Sequence, residues 1–254
     1  MNLPAQEQIH LWLIMANPAP EALARFGLLL NEQERARHER FLFEQDRQRF
    51  LLTRAGIRTL LSHYVPGIAP GEWTFGSNAH GKPWISNPEV AGRLFFSISH
   101  TAGLIAMAVS RLEEIGLDVE NRQLPRRTVA VAERFFAAQE VKDLHQLPVA
   151  AQDSRFFDLW TLKEAYIKAR GLGLAIPLQS FAFSFGGMPT ISFIGSDADD
   201  AGHWRFWQFD HMQQFRLALA VGTRQQQLLD CLQVVSRTWQ PDRQQAGDLV
   251  LGKP

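Results

Sequence analysis

Apolar runs short enough to be strands recur along the whole chain. Before residue 121 they cover residues 9–15, 94–99, 104–110 and 115–120, with shorter runs at 73–75 and 84–86 on either side of a glycine-containing turn. After it they cover residues 181–185, 190–194, 204–209 and 215–221. These runs have the length and the aromatic or β-branched content of buried or half-buried strands.

Helical spacing of apolar residues occupies the segments between these runs. A helix is expected from residue 21, and residues 32–63 predict a long helical stretch or two helices with a bend. Residues 129–136 and 139–144 are also predicted to be helical. The clearest helix covers residues 153–169 and is followed by Gly171, a residue typical of a helix C-cap.

The order of these elements is repeated. Residues 73–86 parallel 181–192, residues 105–109 parallel 217–221, and a long helix precedes the β segment in each case. The repeat predicts an α+β fold of two duplicated α/β subdomains related by a pseudo-two-fold axis, with a cleft between the halves as the binding site. The alternative is chance similarity between two strand-rich stretches. We place the subdomains at residues 1–114 and 115–222, followed by a tail at 223–254 that begins with a helical segment and ends polar and loose.

Composition narrows the class of protein. The 254 residues include 26 Lys and Arg, 26 Asp and Glu, and a single cysteine, Cys231, which excludes a disulfide framework and a multi-cysteine metal site. Zero net charge argues against nucleic acid as a partner. The longest apolar runs have six residues and the first basic residue is Arg25, so neither a membrane span nor a signal peptide is predicted. We expect a cytoplasmic protein.

Two carboxylates lie on the predicted strand at residues 115–120. Asp118 and Glu120 are two residues apart, so both point to one face of the strand, while Leu117 and Val119 point to the other. Two adjacent carboxylates repel each other unless a positive charge lies between them, and Mg²⁺ prefers such oxygen ligands. The alternative is a solvated acidic strand end.

A second charged group lies on the helix at residues 153–169. Trp160, Glu164 and Lys168 are four residues apart and therefore form one stripe. The stripe can bring a third carboxylate and an ammonium to one place. The alternative is an ordinary surface pair between Glu164 and Lys168, worth about 0.3–0.5 kcal/mol.

Two further motifs carry groups that bind phosphate. Ser99 and His100 leave a predicted strand into a turn, where hydroxyl, imidazole and backbone N–H groups can converge on phosphate oxygens. Neighbouring strand residues face opposite ways, so a Ser-His catalytic dyad is disfavoured. Gly81-Lys82-Pro83 is a turn that presents a lysine, although the same three letters recur at residues 252–254.

In this order and spacing, these motifs resemble the 4′-phosphopantetheinyl transferases of the surfactin-synthetase (Sfp) type. The resemblance runs from about residue 34 to residue 221, and its specific motifs lie between residues 81 and 174. It implies a Mg²⁺-dependent enzyme that moves the 4′-phosphopantetheine arm of coenzyme A onto a serine of an apo acyl or peptidyl carrier protein. Adenosine 3′,5′-bisphosphate is the implied second product, and Mn²⁺ is a possible replacement for Mg²⁺.

The resemblance also implies roles for individual residues. Asp118, Glu120 and Glu164 would hold the metal, and Glu164, directly or through a metal-bound water, is the candidate base for the carrier serine. Lys168 would bind the pyrophosphate and assist the leaving group. The remaining implied ligands of coenzyme A lie in the N-terminal subdomain: Ser99 and His100 on the phosphates, and Lys82 on the pyrophosphate or nucleotide. Lys163 lies about 100° round the helix from Glu164 and is expected to be peripheral.

The 3′-phosphate of coenzyme A requires its own cations. Where related enzymes carry basic residues, this chain offers Arg37, with Arg40 and Arg49 as alternates. The alternative is a solvated helix face rich in Arg and Glu.

Carrier proteins are usually acidic, and a local patch of Arg122, Arg126 and Arg127 is one candidate docking surface. Apolar packing by Phe135 and Phe136 is the other. We expect a pseudo-dimeric monomer.

Two other classes of function compete with the transferase. A coenzyme A- or nucleotide-binding module without turnover would be expected to lack a carboxylate or the helix lysine, and neither is missing. A hydrolase or nuclease could use the same acidic cluster, but there is no broad basic field for a nucleic acid. The carrier served, the tolerance for acylated coenzyme A and the preferred metal are not encoded in these motifs.

Overall fold

A computed structural model describes residues 1–15, 18–124, 128–195 and 199–241, together with the backbone of residues 245–248. The helices in these residues are α1 (Pro20–Gly27), α2 (Glu32–Glu39), α3 (Glu44–Tyr64), α4 (Thr128–Phe135), α5 (Ala138–Gln146), α6 (Val149–Arg170) and α7 (Gln226–Cys231). The strands are β1 (Gln8–Met15), β2 (Phe75–Ser77), β3 (Pro83–Ile85), β4 (Phe95–Thr101), β5 (Leu104–Ser110), β6 (Glu114–Asn121), β7 (Phe181–Ser184), β8 (Thr190–Phe193), β9 (Trp204–His211), β10 (Phe215–Gly222), β11 (Gln233–Gln240) and β12 (Gln245–Asp248).

The two halves have the same topology. In the first half, β1, β5 and β4 are neighbours in an antiparallel arrangement; in the second half, β6, β10 and β9 are neighbours in the same way. Each half also has one long helix, α3 or α6, followed by a two-stranded hairpin, β2–β3 or β7–β8. The predicted α+β class and the predicted duplication are therefore confirmed.

Alternation along the strands explains how the halves pack together. On β10, Leu217, Leu219 and Val221 join an apolar cluster with residues of β1 and β5, whereas Ala218 and Ala220 join the cluster around α6. The first sheet likewise buries one face against α3 and the other in the shared cluster. Each sheet is thus covered by its own long helix on one face and by the other sheet on the opposite face.

Several predicted boundaries change in the structure. The helical stretch at 32–63 is two helices, α2 and α3, in agreement with the predicted bend. The best-predicted helix begins at Val149 and ends at Arg170, and Gly171 follows it with φ 66°. This left-handed conformation is the one that favours glycine at a C-cap.

The prediction of a loose tail is wrong for residues 233–240. They form β11, which pairs in parallel with β1, and Trp239 on this strand is buried against Phe26. β12 continues the same sheet. The tail is held by long-range pairing with the first half, which its polar composition does not reveal. The subdomain boundaries themselves stay a prediction.

None of the helices in the described residues is long and apolar enough to span a bilayer.

Candidate active site

A close approach between β6 and α6 builds the site. A side chain on Gly116 would place its Cβ 1.9 Å from the carbonyl oxygen of Ala165 and 2.4 Å from the backbone nitrogen of Ala169. Only glycine fits there, because the atoms in the way are backbone and cannot rotate aside. Gly116 shares its strand face with Asp118 and Glu120. The helix therefore lies directly against the face of β6 that carries the two carboxylates.

Asp118 and Lys168 form the centre of the site. The Lys168 ammonium donates to Asp118 Oδ1 at 2.6 Å and to Ser99 Oγ at 3.0 Å, and the Ser99 hydroxyl donates to the same Oδ1 at 2.8 Å. Asp118 Oδ2 is buried and has no hydrogen-bond partner among the described residues. A buried carboxylate oxygen is costly without a partner, so this atom is suited to a ligand that brings positive charge.

The predicted stripe on α6 is confirmed in its arrangement. Trp160, Glu164 and Lys168 are all half-buried, whereas most of their neighbours on the helix are fully buried. Trp160 Nε1 donates to Glu120 Oε1 at 3.1 Å, so the two ends of the stripe contact the two carboxylates of β6.

Glu164 lies between these two contacts on the stripe. Burial and the charges of Asp118 and Glu120 together raise the pKa of Glu164 to about 7, although the charge of Lys168 acts to lower it. The three carboxylates therefore act on one another electrostatically, and Glu164 is poised to gain or lose a proton near neutral pH.

The described residues contain no group of three or more His, Cys, Asp or Glu side chains arranged to hold a metal ion. The Lys168 ammonium is the positive charge that contacts Asp118 in this structure. The chemistry of the donor set still fits a hard cation, because it consists of carboxylates and includes the unpartnered Asp118 Oδ2. The assignment of Asp118, Glu120 and Glu164 as metal ligands stays a prediction.

A cleft of about 820 Å³ opens beside this cluster. Both halves contribute to its wall. The first half supplies chiefly Gln33, Glu34, Arg37, Phe50, Arg54, Phe75, His80, Lys82, Phe96, Ile98 and His100, and the second half supplies Glu164, Ile167, Lys168, Gly171, Gly173 and Leu174. A volume of this size accommodates a large cofactor-sized ligand.

The three predicted arginines differ in position. Arg37 lines the cleft, and its guanidinium lies 5.4 Å from the centre of the Phe50 ring. Arg40 follows the end of α2, is exposed, and is not part of the cleft wall. Arg49 forms an ion pair with Asp46. Of the three, Arg37 is therefore the one that the fold presents to the cleft.

His100 lines the same cleft. Partial burial lowers the pKa of its imidazole, and the charges of Arg49 and Lys168 lower it further. Arg37, His100 and Lys168 thus place two cations and an imidazole on the wall of one cleft, an arrangement suited to a polyanion.

Two predicted phosphate ligands are engaged elsewhere. The Ser99 hydroxyl contacts Asp118 and Lys168. The Lys82 ammonium donates to the carbonyl oxygens of Ala169, at 2.6 Å, and Glu113, at 3.1 Å. Burial lowers the pKa of Lys82, while the Glu113 and Glu114 carboxylates raise it in part. The predicted contacts with phosphate stay untested.

Sequence reasoning missed Arg54 and Glu34. Arg54 lines the cleft, donates from Nε to Glu34 Oε1 at 2.6 Å, and lies over the Phe75 ring at 5.5 Å. Glu34 is buried and also pairs with Arg58. The available signal was that Arg54 follows Phe50 by one turn of a helix, which puts both on one face.

The predicted docking groups have mixed outcomes. Arg122 pairs with Asp210 at 2.7 Å, and Arg126 and Arg127 lie outside the described residues. Phe135 is exposed, but Phe136 is buried and stacks on Phe156 at 5.4 Å. Phe136 is therefore a core residue, and the expectation that it could contact a partner is wrong.

Comparison with known proteins matches nearly the whole span of the two halves. The family model described as "4'-phosphopantetheinyl transferase superfamily" matches residues 114–220, and the one described as "4'-phosphopantetheinyl transferase, N-terminal" matches residues 15–112. The boundary between the two matches falls close to the start of β6.

Curated relatives agree with these matches. The 4'-phosphopantetheinyl transferase HetI of Nostoc sp. is 34% identical over 169 residues, which cover 66% of this chain and 71% of the relative. A 4'-phosphopantetheinyl transferase of Bacillus subtilis is 34% identical over 158 residues (62% and 67%). The 4'-phosphopantetheinyl transferase Sfp of Bacillus subtilis strain 168 is 30% identical over 158 residues (62% and 67%).

Proposed function

This chain belongs to the 4′-phosphopantetheinyl transferase family and is an enzyme, and from that premise we propose that it transfers the 4′-phosphopantetheine arm of coenzyme A to a serine hydroxyl of an apo carrier protein. The observation that carries the proposal is the cluster of Asp118, Ser99, Glu164 and Lys168 at the edge of the cleft between the halves. It joins acidic groups, an ammonium and space for a large anionic substrate in one place.

The proposed reaction exchanges a phosphoanhydride bond of coenzyme A for a phosphate ester bond to the carrier serine. The serine oxygen bonds to the phosphorus that bears the pantetheine arm. The bond from that phosphorus to the bridging pyrophosphate oxygen breaks, and adenosine 3′,5′-bisphosphate leaves. The serine proton must pass to a base on the enzyme or in solution, because the serine hydroxyl is too weak an acid to ionise unaided.

Asp118, Glu120 and Glu164 are the residues that would hold Mg²⁺. A bound Mg²⁺ supplies charge that offsets the pyrophosphate of coenzyme A during transfer. The unpartnered Asp118 Oδ2 and the mutual repulsion of the three carboxylates support this assignment.

Glu164 is the proposed base and Lys168 the proposed partner of the leaving group. A carboxylate with a pKa of about 7 can accept a proton near neutral pH more readily than an ordinary glutamate can. Lys168 lines the cleft one turn further along α6, where its ammonium can donate to a pyrophosphate oxygen. Arg37 and His100, which the first half contributes to the cleft wall, are the proposed contacts of the remaining phosphate oxygens.

The test is a transfer assay read by mass spectrometry. Purified protein, coenzyme A and Mg²⁺ are incubated with a panel of apo carriers from fatty-acid, polyketide and nonribosomal-peptide synthesis. At least one carrier should gain the mass of one phosphopantetheine. Glu164→Gln should reduce the rate by about 10²–10⁴-fold, because the group that accepts the serine proton is lost.

Glu133→Gln is the matched control, since Glu133 is an exposed glutamate on α4. It should leave the rate unchanged. A fully active Glu164→Gln enzyme would contradict the assigned role, and modification of no carrier in the panel would contradict the proposed function.

A further inference from the structure

The C-terminal end of α6 is held by a turn from the other half of the molecule. An α-helix leaves its last carbonyl groups without partners inside the helix. Here the carbonyl oxygen of Ala169 accepts from Lys82 Nζ at 2.6 Å, and that of Gly171 accepts from Asn78 Nδ2 at 2.6 Å. Both donors lie in the turn that joins β2 to β3. We call residues 78–82 the clamp turn.

The clamp turn is itself fixed by Asn78. The side-chain Oδ1 of Asn78 accepts from the backbone N–H groups of His80 and Lys82, both at 2.9 Å. The backbone N–H of Asn78 donates to the carbonyl oxygen of Lys82 at 3.0 Å. The oxygen of the Asn78 side-chain amide therefore forms the turn, while the nitrogen of the same amide binds the end of α6. The two functions can be separated by substitution.

Lys82 connects α6 with β6. Besides Ala169, its ammonium binds the carbonyl oxygen of Glu113, directly before β6 begins. Ala169 is next to Lys168 in the chain, and Glu113 directly precedes β6, the strand that carries Asp118. The positive charge also lies at the negative end of the α6 dipole, which is a favourable position.

The contact leaves little free space. A side chain on Gly171 would place its Cβ 2.7 Å from Lys82 Cδ and 3.2 Å from Asn78 Nδ2. The clamp turn and the helix end therefore fit closely, and a shift of the turn would be transmitted to α6.

We propose that Lys82 and Asn78 are positioning residues, which fix the end of α6 relative to β6 and so set the distance of Glu164 and Lys168 from Asp118 and Glu120. This inference rests on the proposed function. It assigns Lys82 to the backbone carbonyls of Ala169 and Glu113, in place of the phosphate contact implied by the family resemblance.

Steady-state kinetics distinguish a positioning role of Lys82 from a phosphate-binding role. Lys82→Met and Asn78→Asp should each lower kcat by about 10²-fold, the usual effect of displacing catalytic groups by about 1 Å. KM and Kd for coenzyme A should change by less than about threefold. The kcat of the double variant should be no lower than that of the poorer single variant, since both substitutions disrupt the packing of the clamp turn on the same end of α6. Asn78→Asp keeps an oxygen for the turn and replaces the donor to Gly171 with a carboxylate oxygen, which cannot donate to that carbonyl group. Lys82→Arg, which can still donate to both carbonyls, should restore most of kcat.

Lys142→Met, at an exposed lysine of α5, is the matched control and should leave kcat and KM unchanged. A phosphate ligand would behave differently. If Lys82→Met raised Kd for coenzyme A tenfold or more while Asn78→Asp left kcat unchanged, the positioning role would be overturned.

Amide hydrogen exchange tests the clamp without any transfer activity. In Lys82→Met and Asn78→Asp, the amides of residues 167–171 should exchange about tenfold faster than in the parent protein, as expected for the loss of a hydrogen bond. Unchanged exchange there would overturn the proposal. Faster exchange in a protein that modifies no carrier would contradict the proposed function and leave the clamp supported.

Discussion

The two long helices are held by the same kind of buried ion pair, yet the faces that they turn to the first strand of each half carry different polar groups. In the first half, Arg58 on α3 pairs with Glu34 on α2 at 2.8 Å and donates to the carbonyl oxygen of Trp73 at 2.6 Å. Glu34 also accepts the N–H of Asn31, at the start of α2.

The second half repeats each of these contacts. Lys163 on α6 pairs with Glu140 on α5 at 2.8 Å and donates to the carbonyl oxygen of Phe181 at 2.7 Å. Glu140 accepts the N–H of Ala137, at the start of α5. Lys163 is thus outside the cleft wall, as predicted, and serves the fold of the second half.

The faces between helix and first strand differ. On β1 and α3, the hydroxyl of Tyr64 accepts from Trp12 Nε1 at 2.6 Å and forms a hydrogen bond with His10 Nδ1 at 2.8 Å. The Arg237 guanidinium lies 5.6 Å from the centre of the Trp12 ring, so this face carries hydrogen-bonded aromatic groups and a cation. On β6 and α6 the corresponding place holds Asp118, Glu120, Glu164 and Lys168. The shared contacts thus maintain the repeated unit, whereas the charged face of the second half is the one suited to chemistry.

Among the substitutions that test this comparison, Lys163→Met is expected to lower the free energy of unfolding the most. It leaves Glu140 buried without its cation, which should lower the free energy of unfolding by about 3–5 kcal/mol, measured by chemical denaturation. Adding Glu140→Gln should recover part of the loss, because the unpaired charge is gone. A loss as small as that of Lys142→Met, the exposed control, would show that the repeated ion pair does not stabilise the second half.

Gly116→Ala breaks the close approach of β6 and α6. The new Cβ meets backbone atoms, so α6 must move, and we expect a loss of about 3 kcal/mol together with a fall in transfer rate of about 10²-fold. Gly56→Ala, on α3, is the matched control. Its Cβ would meet Ile14 Cδ1 at 3.1 Å, the flexible end of a side chain, so stability should stay within about 1 kcal/mol of the parent. Equal losses of stability for the two substitutions would contradict the conclusion that α6 approaches β6 more closely than α3 approaches its own sheet.

Tyr64→Phe should have the smallest effect. It removes the hydroxyl shared by Trp12 and His10, at a cost of about 1 kcal/mol in unfolding free energy, and should leave the transfer rate unchanged. A lower transfer rate at unchanged stability would mean that the face between β1 and α3 also serves the reaction.

The arrangement of the site's charged side chains could be predicted chiefly from their spacing within one strand and one helix. Asp118 and Glu120 share a strand face and Trp160, Glu164 and Lys168 share a helix face, because side-chain direction follows from the position in a regular element. Gly171 ends α6 as predicted, because the left-handed conformation at a C-cap favours glycine. These predictions needed no knowledge of what lies opposite each face.

The missed features all depend on partners distant in the chain. The phosphate contact of Lys82 stays a prediction, and what the sequence did not reveal is its hydrogen bond to Ala169 on α6, 87 residues away. Glu34 and Arg54, which lie 20 residues apart, meet only after α2 folds back on α3.

The sequence by itself determined which side chains share a face and in what order the repeated elements follow. The tertiary structure decided which faces meet: the approach of α6 to β6 over Gly116, the clamp turn on the end of α6, and the pairing of β11 with β1. The physical reason is that direction within a helix or strand is set by neighbouring residues, whereas contact between elements is set by packing, which depends on the whole chain at once.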